Sequence, residues 1–383
     1  MGRESTIEWT DATWPVVKGC DYASPGCGNC YAADLVHRHS HNPNPKVSLP
    51  VAGLTEVRGG RPRWTGKVYL NEPHLNDPLR WKKPLRIFVP SHGDLFHPDV
   101  PFGFVMRCLT VMARTPHHTY QVLTKRPDRM ADFFRRWADL AGEDFEPKLV
   151  RGPEATRRAH PSGRGQLFAD YLESIGEPPP GAAYQTFDWM EGMIGWPKVF
   201  RNVWLGFSVE NQEWFDKRAA QMMPLMNKGW TLFVSAEPLL GPIDMAAEDT
   251  VLYCNACGQV TTGDDGDCSA CGDTRTRERR FIDYLQWVIA GGESGKHARP
   301  CDVEWVRSIV EQCKAADVAC FVKQLGSEPG WDSQGGKVPG SFHHFDAKSG
   351  LHIKRLDNRK GGDPDEWPED LRVREYPEPA RAP

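Results

Sequence analysis

Along the chain, short apolar runs recur, each closed by polar residues. Their content of Val, Ile, Phe, Trp and Tyr predicts strands at about 14–18, 67–71, 86–90, 119–123, 203–207, 231–235, 286–290 and 319–323. Several, such as Val203-Trp204-Leu205-Gly206-Phe207, are apolar at consecutive positions. Strands covered on both faces in a parallel sheet look like this, whereas a half-exposed strand alternates. Helical spacing fills the gaps between them. It runs from Phe102 to Arg114 (Phe104, Val105, Cys108, Leu109, Met112), from Asp128 to Leu140 (Met130, Phe133, Phe134, Trp137) and from Asp302 to Ala315 (Val303, Val306, Ile309, Val310, Cys313). Alternating strands and helices predict βα units in an α/β fold, either a (β/α) barrel or partial barrel of parallel strands, or a doubly wound sheet.

The polar residues that close the runs are themselves informative. They read Asn71-Glu72, Ser91-His92-Gly93-Asp94, Thr124-Lys125-Arg126, Ser208-Val209-Glu210-Asn211, Ala236-Glu237-Pro238, Gly291-Gly292-Glu293-Ser294-Gly295 and Lys323-Gln324. In parallel barrels the functional site is assembled from the carboxyl ends of the strands. The barrel is expected over residues 1–326, with a Gly-, Pro- and charge-rich insertion at 141–200 and a cysteine-rich one at 250–281. Residues 327–383 read as a polar extension wrapping the surface.

Composition narrows the classes. No stretch of 18 apolar residues is present in the 383, so no transmembrane helix is expected. The polar start, Met1 to Asp11, has no apolar segment of a secretory signal, and a cytoplasmic location follows as the expectation. A formal net charge of −4 argues against a protein coated in positive potential, though not against a local basic groove. Seven of the eleven cysteines fall in two tight clusters, a pattern that favours metal over disulfides in a chain without an export signal.

The first cluster, Cys20-Asp-Tyr-Ala-Ser-Pro-Gly-Cys27-Gly-Asn-Cys30-Tyr31, follows the first predicted strand with gaps of six and two. Three thiolates suit a [4Fe–4S] cluster with one open iron better than structural zinc, which takes four ligands. Zinc completed by a distant His or by Cys301 is the competing reading. The second, Cys254-Asn-Ala-Cys257 and Cys268-Ser-Ala-Cys271 across a ten-residue gap, has the spacing of a four-thiolate zinc ribbon; a closed second iron–sulfur cluster is the alternative. Arg275, Arg277, Arg279 and Arg280 follow it and modestly favour a phosphate backbone over a merely solvated face. The remaining Cys108, Cys313 and Cys320 read as small core residues.

The segment Gly26-Cys-Gly-Asn-Cys-Tyr-Ala of the first cluster, with Thr6-Ile-Glu-Trp-Thr-Asp-Ala-Thr-Trp, Thr124-Lys-Arg-Pro, Ser235-Ala-Glu-Pro-Leu-Leu-Gly, Val288-Ile-Ala-Gly-Gly-Glu-Ser-Gly and Glu366-Trp-Pro-Glu-Asp-Leu-Arg-Val-Arg-Glu-Tyr, resembles the three-cysteine-motif family of phage and bacterial proteins related to the radical S-adenosylmethionine (SAM) superfamily; residues 141–200 and the second cysteine cluster fall outside the resemblance. The resemblance implies a barrel whose cluster, on Cys20, Cys27 and Cys30, cleaves SAM to a 5′-deoxyadenosyl radical, fed by an electron donor such as flavodoxin or ferredoxin. Some phage relatives are similar to enzymes that hypermodify thymine in DNA. That implies an isomerase, or aminomutase, acting on DNA or a modified nucleotide within a bacterial host. Two departures stand out. The superfamily loop usually has gaps of three and two, and the aromatic residue that often precedes its third cysteine is here Asn29, with Tyr31 just after it.

Further site expectations join the residues to that resemblance. Gly291-Gly292-Glu293 is similar to the superfamily element that holds the SAM amino group, with Asn71 and Glu72 as competitors by position. Ser91, Asp94, Thr124, Ser208, Glu210 and Glu237 are candidates for ribose hydroxyls and the methionine carboxylate, or else simple loop hydrogen bonds. Lys125, Arg126 and Lys323 are the cations expected at the barrel mouth, to bind a SAM carboxylate or a phosphate, or to pair internally with Glu237 or Glu293. Lys323 and Glu237 are also the candidate catalytic side chains beside the cluster. A non-catalytic, metal-stabilised nucleic-acid-binding protein is the alternative function; against it stand the polar strand ends, which a scaffold does not need.

Overall fold

The structure is a computed structural model that describes residues 5–141, 200–226, 229–247, 251–254, 260–261, 276–332 and 344–378. Its centre is a seven-stranded sheet of β1 (Ala12–Thr13), β2 (Arg86–Val89), β3 (Thr119–Thr124), β4 (Val203–Val209), β5 (Thr231–Ala236), β6 (Trp287–Gly291) and β7 (Ala319–Gln324). All neighbours pair in parallel and lie in sequence order. Sequential order is what a barrel produces, since a doubly wound sheet reverses direction at a switch point. β1 and β7 do not pair with each other, so the sheet is a curled half-barrel with two edges. The main helices are α1 (Tyr31–Ser40), α2 (Phe102–Ala113), α3 (Pro127–Ala141), α4 (Gln212–Met222) and α5 (Val303–Ala315).

Burial on both faces follows from the period of two along each strand. Ile87, Val89, Val122, Leu205, Val234, Val288 and Ala290 pack in one large core with helix residues such as Phe104, Leu109, Phe215 and Ile309. The alternate residues Phe88, Trp204, Phe233, Trp287, Ile289 and Phe321 form a second, inner cluster with Trp9. Trp287 meets Trp9 and Trp204 edge-on, at ring-centroid distances of 6.0 and 5.7 Å, the arrangement the ring quadrupoles favour. Gly206 makes room for this floor: a Cβ there would run into the Phe233 ring.

Two predicted strands are corrected. The run at 14–18 is not one barrel strand, because Pro15 has no N–H to give a ladder. The half-barrel instead begins with Ala12–Thr13, and Val17–Gly19 joins a separate small sheet. There it pairs antiparallel with Tyr69–Leu70 and parallel with His92–Gly93. The run at 67–71 therefore lies outside the half-barrel as well, and Gly291-Gly292-Glu293 runs off the end of the sixth strand of the sheet, whose last residue is Gly291.

Beyond β7, Pro329–Trp331, His344–Asp346 and Leu351–Ile353 form a four-stranded sheet with Cys301–Asp302. The chain then returns along β7, where Val322 N–H donates to the Val373 carbonyl and Glu375 N–H to that of Cys320, both at 2.8 Å. Tyr376 stacks on Trp287 (5.5 Å, 30°), carries the Arg86 guanidinium over its ring at 4.1 Å, and donates to the Glu8 carbonyl at 3.4 Å. Arg86 and Trp287 open β2 and β6, so the extension crosses the amino-terminal end of the open half-barrel and covers its aromatic floor.

In the cysteine-rich insertion, Val251–Cys254 pairs antiparallel with Val260–Thr261 and Thr276–Arg279. Cys257, Cys268 and Cys271 lie outside the described residues, as does the insertion expected at 141–200 apart from its end residues. Among the described residues no helix is long and apolar enough to cross a membrane.

Candidate functional site

The first cysteine loop is laid across the carboxyl ends of the strands. Cys20 leaves the small sheet directly after Gly19, Cys27 sits in the short 3-10 turn Pro25–Asn29, and Cys30 is the residue that caps α1. Each part of the loop is tied to a different strand end. Ser24 Oγ donates to Glu210 beyond β4 at 2.7 Å, and Asn29 Nδ2 to Glu293 beyond β6 at 2.9 Å. Tyr31, its ring half exposed at the mouth, donates from its hydroxyl to the Ser91 carbonyl beyond β2 at 3.2 Å. Arg126, beyond β3, points Nη1 at Cys20 Sγ from 3.6 Å.

Around Cys20 the polar groups form one closed set. Asp94 is buried and accepts from Thr124 Oγ1 (2.7 Å), Phe96 N–H (2.9 Å), Lys125 N–H (3.1 Å) and Arg126 Nη1 (2.8 Å). Burial nevertheless raises its pKa, since those donors offset only part of the lost hydration. Arg126 also pairs with Asp21. Burial pushes the Cys20 thiol up to about 12; the nearby Asp94, Cys27 and Cys30 push the same way, and Arg126 pulls back.

Beneath Cys27 lies a second set. Glu210 has no exposed surface and pairs with both Lys125 and Arg218. Burial alone would raise its pKa, but the two cations and Ser24 hold it below the usual carboxylate range. Arg218 is 1% exposed, donates to the Ser208 carbonyl at 2.7 Å, lies over the Trp214 ring, and leaves Nε and Nη2 without a hydrogen-bond partner. Gly26 is required here, because a Cβ would meet Glu210 and would stand 2.6 Å from Lys125 Nζ.

A third set clamps the end of the loop. Arg299 donates to Glu293 from Nη2 (2.6 Å) and Nε (2.9 Å), and to the Pro25 carbonyl from Nη1 (2.9 Å). The hairpin Thr55–Arg58 and Arg61–Trp64 leans on the other side: Arg61 donates to Asn29 Oδ1 at 2.6 Å and Arg63 to the Gly28 carbonyl.

The expected site residues divide accordingly. Tyr31, Ser91, Asp94, Thr124, Lys125, Glu210 and Glu293 surround the loop of Cys20, Cys27 and Cys30, and Ser208 is buried with its carbonyl accepting from Arg218. Lys323 and Glu237 pair with each other at 3.1 Å, and Ser235 donates to Glu237 at 3.2 Å, so the internal-pairing reading holds for Lys323. Arg126 is paired with Asp94 and Asp21, and Lys125 with Glu210, rather than with Glu237 or Glu293. Glu293 is spent on Arg299 and Asn29. Gly292 admits the Leu325 carbonyl against its backbone, and Gly291 packs against Glu237 and Gln324. Asn71 is buried and donates to the Pro15 carbonyl at 3.0 Å, while Glu72 pairs with Arg107 on α2. Cys108, Cys301, Cys313 and Cys320 are buried core thiols.

Asp21, Arg218 and Arg299 are members that the sequence reading passed over. Arg218 carried a signal: it stands at helical spacing with Phe215, Ala219 and Met222, on the buried stripe of α4. A cation on such a stripe needs a buried partner.

Among the described residues no group of three Cys, His, Asp or Glu side chains is gathered closely enough to hold a single metal ion. The fit of a larger, anionic thiolate-bound group is judged from what faces the sulfurs. Cys30 stands at the amino-terminal cap of α1, where the helix dipole favours negative charge. Cys20 has the Arg126 guanidinium, and the Arg218 charge reaches Cys27. A helix amino end and cations around thiolates are the surroundings an iron–sulfur cluster uses, so the residues present fit one.

No curated protein and no solved structure matches the chain. One family model does, over residues 4–361, and the chain therefore belongs to the family described as protein of unknown function (DUF5131).

Proposed function

We propose that this protein is a radical SAM enzyme that holds a [4Fe–4S] cluster on Cys20, Cys27 and Cys30 and acts as an isomerase on a thymine-derived base in DNA. One observation carries the reading: three cysteines share a single loop tied to four strand ends of a parallel half-barrel, with the Arg126 guanidinium turned toward Cys20 and Cys30 at the amino end of α1. When bound, such a cluster with one open iron supplies the electron for reductive cleavage of SAM. The residues of this chain do the rest. Arg126 and Arg218 offset negative charge at the sulfurs, and Cys30 is set by its place at the amino end of α1. Ser24, Asn29, Arg299 and Gly26 hold the loop down. Ser91 Oγ, buried at the mouth without a hydrogen-bond partner, is a polar atom placed for a ligand hydroxyl. A structural zinc ion on Cys254, Cys257, Cys268 and Cys271 belongs to the same proposal.

The test is iron content and electron paramagnetic resonance of anaerobically purified, reduced protein, with and without SAM. The expected result is a cluster signal that shifts on adding SAM and is lost in Cys27→Ala, with 5′-deoxyadenosine formed on turnover. Zinc in both sites, and no iron after reconstitution, would sink the radical mechanism and bring the nucleic-acid-binding reading forward.

A further inference from the structure

Next to Cys27 a cavity of about 470 Å³ opens between the cysteine loop and the hairpin, walled by Tyr22, Cys27, Gly28, Arg58, Arg63 and Trp64 among others. None of its lining residues lies on a strand of the half-barrel. Its lining combines two chemistries. Tyr22 is 66% exposed and Trp64 is partly buried, so each offers an indole or phenol surface at an open rim. Arg58 and Arg63 supply guanidinium groups: Arg63 gives Nη1 to the Gly28 carbonyl and keeps the rest of its fork, and Arg58 is in a solvated pair with Glu56. Between residues 55 and 67 the chain carries Arg58, Arg61, Arg63 and Lys67 against Glu56 alone, within a protein of net charge −4. That is a local positive patch on a negative background.

We infer that this pocket binds a single nucleotide of a DNA strand, its base stacked on Tyr22 or Trp64 and its phosphate paired with Arg58 and Arg63. Flat aromatic faces select nucleobases without regard to sequence, and guanidinium forks select phosphate. The volume lies in the usual range for one small ligand, roughly 300–1,000 Å³, and a base reached from duplex DNA would have to be flipped out of its stack. The inference deepens the proposed function, since it places the substrate strand beside Cys27. Its physical content, nucleotide binding by these residues, is measurable without a cluster.

The experiment is fluorescence anisotropy of a 5′-labelled oligothymidylate with the full chain as purified, without SAM, over a series of salt concentrations. Arg58→Gln and Tyr22→Ala, neither of which holds the cysteine loop, are each expected to weaken binding about tenfold, with the salt slope reduced only in Arg58→Gln. Thermal melts unchanged from the parent protein would show that both variants fold. Thymidine monophosphate should compete, and inorganic phosphate at the same concentration should compete less. Binding unaltered in both variants, or displacement of the oligonucleotide by SAM, would overturn the assignment. Equal affinity for the monophosphate and the oligonucleotide would overturn the strand and leave a free nucleotide as ligand. Iron and a SAM-shifted resonance with no oligonucleotide binding would remove this inference alone. The expected binding in a protein that takes up no iron would remove the radical reading alone.

Discussion

Asn29 donates to Glu293 at 2.9 Å across 264 residues of sequence, and joins the cysteine loop to the end of β6. Glu293 is 5% exposed and accepts from Arg299 as well, so one carboxylate gathers the loop, the Gly-rich turn and the Arg299 clamp on Pro25. Glu293→Ala should cost about 2 kcal/mol by stranding its donors, and should lower iron retained per chain. Urea unfolding and iron analysis check the two effects separately. Stability lost with iron fully retained would show that the clamp does not organise the loop.

Glu210 is the stricter case, because two cations depend on it. Glu210→Gln leaves Lys125 and Arg218 facing each other in a buried place and should destabilise by about 3–5 kcal/mol, as breaking a buried ion pair does. The folded pKa of Glu210 is held below its ordinary value of 4.5. Its contribution to stability is therefore full above that value and is lost as pH falls toward and through the folded pKa. In Glu210→Gln this part of the acid limb should disappear from a plot of unfolding free energy against pH.

His92 gives a second pH effect at higher pH. Burial, with His39 and Lys18 close by, lowers its pKa from 6.5 to about 4, and its Nδ1 has no hydrogen-bond partner. The folded state binds fewer protons than the unfolded chain in that interval. Stability is then complete above pH 6.5 and falls as pH drops toward 4. His97 and His118 lean the same way, so His92→Phe should flatten the slope only in part. An unchanged slope in the variant would place the effect elsewhere.

The extension across the floor has its own test. Tyr376→Ala removes a ring stacked on Trp287 and under Arg86, and should lower stability by about 2–3 kcal/mol without touching the cysteine loop. Equal urea midpoints for variant and parent would mean that the extension merely rests on the sheet.

By itself, the sequence determined the parallel architecture. Runs such as Val203-Trp204-Leu205 must be apolar at every position if both faces are covered, and that requirement is visible locally. The three cysteines and the polar strand ends were legible for the same reason, because spacing along one segment is a local property. Tertiary structure alone decided the rest. Pro15 diverted the expected first strand into a small sheet whose partners lie some fifty to seventy-five residues further along the chain, at Tyr69–Leu70 and His92–Gly93. It also settled who pairs with whom: Lys125 with Glu210, Lys323 with Glu237, and Arg299 with Glu293. Each is a charged group whose role depends on which opposite charge burial brings within reach. That distance is a property of the folded chain, and no pattern along the sequence encodes it.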